Sequence, residues 1–380
     1  MTADGWPSIR LVYPGVGIVV ASNDGGHLAW LEEFMGPDFA TAAPGPADHT
    51  VVLQVDTREY LRLWRRGPDP SGLRVDAFLL DSSTVRLPLW SSSGVGDVTV
   101  LDEEYRVFYV VSADRRRVRL VAARFGLLAR NSLMRVVREL AMIATRRAGA
   151  LVVHGAGVLL DGAGYVLAGA RKAGKTTLLL HLLARADARY VANDRVVVAQ
   201  DVSGEARLHG MPTIVTVRDR TARTFPAFWT ALVASGFHAW STLDETARRG
   251  RRRRAPSPAG WPLSAVQLTT LLGVPRAAGG PLEAILLPRV SGAPGGIALR
   301  RLAAEDALDR LRQSVFRARA GTGRGMLEAP GARDDAALRE DACRRLVQHV
   351  PCLDCALGRH AYREPADVLD GLASAVASPR

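Results

Sequence analysis

Short apolar runs dominate the first third of the chain. Leu11 to Tyr13, Val16 to Val20, Val51 to Val55 and Tyr105 to Val111 have the length and β-branched content of strands, and Gly, Pro and Asp clusters separate them. Val75 to Asp81 reads as a further strand ending in a carboxylate. The pattern changes at Leu127. From there to Arg147, Leu128, Leu133, Val136, Val137, Leu140, Ala141, Ile143 and Ala144 recur at helical spacing, which predicts one long helix with Asn131 or Ser132 as its cap. Beyond it, Leu151 to Leu160 predicts a strand, Asp161 to Gly164 a tight turn, and Tyr165 to Ala168 an antiparallel return. Thr177 to Ala184 predicts a helix, and Arg189 to Asp194 a strand that again ends in a carboxylate. Arg195 to Ala199, Ile214 to Val217 and Ala284 to Leu287 predict further strands. Two late helices, Ala303 to Arg319 and Asp335 to Gln348, flank the glycine-rich stretch 321–325.

These elements predict an α/β protein in three parts: a β-rich α+β domain over 1–126, a connecting helix over 127–150, and a second domain over 151–380. That second domain is expected to hold a mixed sheet, because the 151–168 hairpin is antiparallel. An arginine-rich insertion near 245–260 interrupts it, and its C-terminal part is helical.

Lysine usage marks the first chemistry. The two lysines of the chain, Lys172 and Lys175, lie in one segment: Gly169, Ala170, Arg171, Lys172, Ala173, Gly174, Lys175, Thr176 and Thr177. The segment fits G-x-x-x-x-G-K-[ST], and it stands between a predicted strand and a predicted helix, as a phosphate-binding loop must. Glycines let backbone N–H groups close around a polyphosphate. Lys175 supplies a compact point charge where a planar guanidinium is too wide, and the Thr176 hydroxyl is a hard donor for Mg²⁺. ATP and Mg²⁺ are therefore the expected cofactors. Lys172 is expected to face solvent.

Charge and cysteine content change the picture less. The formal net charge of +12 comes from 50 Lys+Arg against 38 Asp+Glu, which favours an acidic partner without choosing one. The run Arg248, Arg249, Gly250, Arg251 to Arg254 reads as a solvated loop that could attract an acidic peptide. No aromatic interleaving or base-reading motif accompanies it, so a nucleic-acid partner is not expected. No basic segment followed by an apolar stretch opens the chain, and no run of about 18 apolar residues exists, so a cytoplasmic location without a membrane span is expected. Cys343, Cys352 and Cys355, with His349 and His360 nearby, read as buried free thiols rather than a zinc site.

Around the loop, His154 precedes it and Asp194 follows Lys175 by 19 residues. A carboxylate returning beside a phosphate loop can accept the proton of an attacking hydroxyl or ligate Mg²⁺. The stretch from Leu151 to Val198 resembles the bacterial HPr kinase/phosphorylase family: a strand with His-Gly at Val153 to Val158, the loop from Gly169 to Thr176, and Tyr190 to Val196 around the carboxylate. The resemblance implies an HPr-kinase-like P-loop core. It implies catalytic roles for Lys175, Asp194 as proton acceptor and His154, and metal ligation by Thr176 and Asp194. It also implies an assembly of several copies and transfer of the γ-phosphate to a serine of a protein. The strand-rich N-terminal region is consistent with a branch of relatives found in biosynthetic clusters for ribosomally made peptides, some of which phosphorylate a serine of the precursor peptide. Two departures stand out. Asn193 occupies the first position of the family's Asp-Asp pair, and the phosphorylase signature has no counterpart, so dephosphorylation is not expected. A second reading follows from Asn193: an ATP-binding module that acts as an allosteric partner in a peptide-modifying complex.

Overall fold

The computed structural model describes residues 5–43, 45–79, 84–92, 97–200, 203, 205–235, 260–316, 325–328, 336–363 and 369–377. It is a mixed α/β protein with two large sheets and divides into two compact units, 1–148 with 317–334, and 149–316 with 335–380.

In the first unit the elements are β1 Ser8–Tyr13, β2 Val16–Ser22, α1 Gly25–Met35, β3 Ala40–Ala42, β4 His49–Val55, α2 Thr57–Trp64, β5 Arg74–Leu79, β6 Thr84–Ser92, β7 Val98–Asp102, β8 Val107–Val111, β9 Arg117–Ala122 and α3 Leu127–Arg147. The strands form one sheet in the order β3-β1-β2-β4-β9-β8-β7-β6-β5. The pairs β2/β4 and β4/β9 are parallel and the others antiparallel. Asp24 and Asp56 start α1 and α2 by accepting backbone N–H groups of the first turn, Gly26 in one case and Arg58 and Glu59 in the other.

Helix α3 has the predicted span, but its start differs from the expectation. Its N-cap is Gly126, and Asn131 and Ser132, expected as caps, lie buried in its second turn. Both are packed into the interior of the helix's own unit, so small polar residues here mark tight packing inside the helix and not its terminus. The unit boundary falls after Ala148, which places α3 inside the first unit instead of between two domains.

The second unit contains β10 Leu151–Val153, β11 Gly155–Leu160, β12 Ala163–Ala168, α4 Lys175–Leu183, β13 Ala188–Asn193, β14 Val196–Gln200, β15 Ala206–Gly210, β16 Val215–Arg218, α5 Asp219–Arg223, α6 Pro226–Ala234, β17 Gly260–Leu263, α7 Ala265–Leu272, β18 Gly279–Val290, β19 Ile297–Arg301, α8 Ala304–Arg312, α9 Ala336–His349, β20 Cys352–Leu357 and α10 Leu369–Ala377. Its main sheet runs β10-β14-β15-β18-β12-β11-β13, with β20 on the far end of β18 and β19 on β20. The sheet is mixed: β18 is parallel to β12 and β20, whereas β11 is antiparallel to both β12 and β13. Asp161 and Gly162, both at positive φ, close the β11–β12 hairpin as the Asp-Gly pair predicts.

The expected single strand 151–160 is two strands broken at His154. β10 pairs with β14, while β11 pairs with β12 and β13. At the break the His154 N–H donates to the Ser314 carbonyl at 2.7 Å, and Val153 bridges Val315. The apolar run hides this change of partner because both strands are fully buried.

Apolar layers cover both faces of the sheet. On one, Leu178, Leu179, Leu182, Phe228, Leu268 and Leu286 pack together. On the other, Val166, Val196, Leu208, Ile285, Leu308 and Leu346 do so. Helix α4 is thus held by its leucines against the first face. Helix α7 is bounded by a capping box, Ser264 with Gln267, and by Gly273 at its end.

Burial also sets a pH dependence. It pushes the imidazoles of His27 and His49 in the first unit, and of His181 and His209 in the second, below their ordinary value. His181, for example, is buried and donates Nε2–H to the Ala361 carbonyl at 2.9 Å. Below about pH 6.5 the unfolded chain binds protons that these neutral imidazoles resist, so stability falls as pH falls. We expect a lower melting temperature at pH 5.5 than at pH 7.5 in thermal scans. An equal or higher value at pH 5.5 would refute this.

Candidate functional site

The register of three strands gathers the sequence-predicted residues at one edge of the second unit's sheet. Gly155 pairs with Ala168 and Ala156 with Asn193. Consequently the start of β11 (after His154), the end of β12 (before Gly169) and the end of β13 (before Asp194) coincide. β11 lies between β12 and β13, so Gly169 and Asp194 stand two strand spacings apart, roughly 10 Å, with His154 between them.

The 169–174 loop joins β12 to α4 with Gly169, Lys172 and Gly174 at positive φ. Gly174 is required twice over. Its φ is +102°, and a Cβ there would lie 2.3 Å from Leu357 Cδ1. Lys175 opens α4 and turns its ammonium back over the loop, where Nζ donates to the carbonyls of Gly169 at 2.7 Å and Ala170 at 3.0 Å. The cation therefore sits above the bend of the loop. Thr176 is half-buried in the first turn of α4. Thr177 is buried, with Oγ1 3.5 Å from Thr221 Oγ1. Ala170, Arg171 and Lys172 are exposed, and Ala173 is half-buried.

Asp194 has a φ of +84°, a conformation that non-glycine residues adopt at a cost. Its carboxylate is fixed from both sides. His154 Nε2 lies 3.5 Å from Oδ1, and Arg195 Nη1 lies 3.2 Å from Oδ2. Arg195 is 2% exposed, and its guanidinium stands over the Phe316 ring at 5.1 Å, while the same ring meets His154 edge-on at 5.9 Å. Asn193, by contrast, is buried beside Asp194 on β13. A carboxylate in its place would put a buried negative charge next to that of the half-buried Asp194.

No family model and no curated protein matches this chain.

The arrangement can orient a polyphosphate and hold a carboxylate next to it. Oxygen donors at Thr176 and Asp194 suit Mg²⁺, which takes few protein ligands and relies on substrate phosphates for the rest. Among the described residues no group of three or more His, Cys, Asp and Glu side chains converges to hold a metal ion. Nor, among those residues, is any helix long and apolar enough to cross a membrane.

Several residues at this edge carry little or no signal in the sequence. Arg195 and Phe316 are two; an arginine among 50 Lys+Arg carries no signal. A third group is Asp354, Arg289 and Arg310. β18 and β20 run parallel to β12, and Leu287 pairs with Asp354, so the ends of these strands reach the same edge. Asp354 is buried and accepts from Arg289 Nε at 2.9 Å and Arg310 Nη1 at 2.5 Å. Burial works to raise the Asp354 carboxyl, but the two arginines outweigh it and hold it below the ordinary carboxylate range. The available signal was a lone carboxylate in an apolar strand, between Cys352 and Cys355.

Those cysteines are buried and form no disulfide, and the same holds for Cys343. Cys352 packs in one layer of the core and Cys355 in the other, so their sequence proximity does not bring them together. Burial pushes the Cys355 thiol up to about 12, which keeps it protonated. The arginine run 248–254 lies outside the described residues, as do 321–324 of the glycine-rich stretch.

Proposed function

We propose that this chain is an ATP-dependent kinase built on an HPr-kinase-like P-loop core. It transfers the γ-phosphate to the hydroxyl of a serine in a protein or ribosomal precursor peptide. The observation that carries this reading is the shared edge of β11, β12 and β13, where the lysine-bearing loop and the His154–Asp194 pair face the same end of the sheet. In this reading the loop amides and Lys175 hold the β- and γ-phosphates. An acceptor hydroxyl entering beside Asp194 gives its proton to the carboxylate, its oxygen bonds to the γ-phosphorus, and the bond from that phosphorus to the bridging oxygen of ADP breaks. His154 and Arg195 position the carboxylate. Thr176 and Asp194 are the donors that would hold Mg²⁺, which supplies charge neutralisation at the phosphates.

The engagement of Asp194 by Arg195 and the neutral Asn193 favour the second reading, an ATP-binding module that regulates a peptide-modifying complex. Incubation with γ-labelled and, separately, α-labelled ATP, together with the small proteins encoded beside the gene, distinguishes the two. Label passing from the γ position alone to a serine supports the kinase. ATP binding with no transfer supports the module. Transfer from the α position would replace both with nucleotidyl transfer.

A further inference from the structure

The flank of the loop away from Asp194 carries a construction that phosphoryl transfer leaves unused. Tyr362 closes the turn His360–Tyr362 that follows β20, and its hydroxyl lies 3.0 Å from the position of a Gly174 Cβ. That hydroxyl is buried with no hydrogen-bond partner, so packing and not a polar contact holds the ring against the loop. Above the ring, 5.5 Å from its centroid, lies the guanidinium of Arg220. Arg220 belongs to α5, which is pinned at three points. Trp261 Nε1 donates to Asp219 Oδ1 at 2.8 Å, Thr224 Oγ1 donates to the Tyr362 carbonyl at 3.1 Å, and Thr221 meets Thr177 in the first turn of α4. Despite this support Arg220 itself is exposed. A planar cation is thus fixed on an aromatic ring, beside the start of α4, and still presented to solvent.

Direction follows from the strand order. β11 and β13, with His154 and Asp194, lie on one flank of β12, and β18 and β20 lie on the other. A polyphosphate on the loop with its transferable end toward Asp194 has its opposite end toward Tyr362 and Arg220. Resting on the nucleotide reading above, we infer that Arg220 and Tyr362 form the nucleoside subsite, in which the base stacks on the guanidinium of Arg220 and the Tyr362 ring backs it. A stacked guanidinium engages the π-face of a base and reads none of its edges, so the subsite accepts purine nucleotides without strong discrimination among them.

Titration calorimetry of the full chain with ATP, GTP and inorganic triphosphate, each with Mg²⁺, tests this. ATP and GTP are expected to bind within about threefold of each other and about tenfold or more tighter than triphosphate, the increment of one stacked base. Arg220→Ala and Arg220→Lys should each bring ATP affinity down toward that of triphosphate. Both should leave triphosphate binding within about twofold, which also shows that the variants are folded. The lysine variant keeps the charge and loses the plane. If it restores ATP affinity, or if Arg220→Ala weakens ATP and triphosphate equally, Arg220 is a phosphate contact and the inference fails. It fails as well if wild-type protein binds ATP and triphosphate alike. Wild-type protein that binds neither ligand would instead overturn the nucleotide reading itself.

Discussion

Lys175→Ala is expected to weaken ATP binding by about a hundredfold or more, while the melting temperature without ligand stays nearly unchanged. The Lys175 ammonium reaches back to the carbonyls of Gly169 and Ala170, at 2.7 and 3.0 Å, and so stands over the bend of the loop, where the proposed function puts the outer phosphates. Charge-assisted hydrogen bonds contribute roughly 1.5–3 kcal/mol each, and a cation shared by two phosphates makes at least two, so the affinity loss spans about two decades or more. The fold should tolerate the change, because Lys175 is only half-buried and Ala170 is exposed, leaving water to replace the ammonium. Lys175→Arg should fail almost as badly, since the guanidinium is wider than the space over the bend of the loop. Titration with a fluorescent ATP analogue measures both variants. Wild-type affinity in Lys175→Ala would remove the loop from nucleotide binding.

Asp194→Asn is expected to slow phosphoryl transfer at saturating ATP and Mg²⁺ by about 10² to 10⁴-fold, the usual contribution of a positioned general base, with ATP affinity measured without Mg²⁺ within about threefold of wild type. The substitution keeps the shape and removes the charge that Arg195 and His154 hold from either side. It carries a stability cost as well. Arg195 is buried, and a buried guanidinium that loses a carboxylate destabilises the fold. A melting temperature lowered by several degrees should therefore accompany the kinetic defect. Rate and melting temperature distinguish this outcome from a purely structural role, in which only the second would change.

Much of the fold was legible because burial and turn chemistry act locally. The Asp161-Gly162 pair specified the hairpin, since both residues tolerate positive φ. The 3.6-residue repeat specified α3 from Leu127 to Arg147. The connection from β12 to α4 was legible because its glycines fall where the backbone turns at positive φ. What stayed hidden depends on contacts between distant segments. Nothing in the run 151–160 announces that the chain changes partners at His154, because a strand buried on both faces has the same composition whichever strand it pairs with. Arg195 is one arginine among dozens, and only the fold sets it between Asp194 and Phe316. Asp354 was masked by its flanking cysteines, and its two arginine partners come from β18 and α8, 65 and 44 residues away in sequence. Asn131 and Ser132 misled as caps because small polar residues serve equally well inside a packed helix.

Whether the lysine loop and Asp194 act as one phosphoryl-transfer site is tested most directly by single-turnover transfer from γ-labelled ATP to a serine-bearing acceptor encoded beside the gene, at saturating ATP and Mg²⁺, with wild-type and Asp194→Asn protein compared side by side. A single site gives labelled phosphoserine with the wild type and a rate at least about a hundredfold lower with the variant, although both bind ATP. Equal rates in the two proteins, or a wild type that binds ATP and never transfers its γ-phosphate, would contradict it.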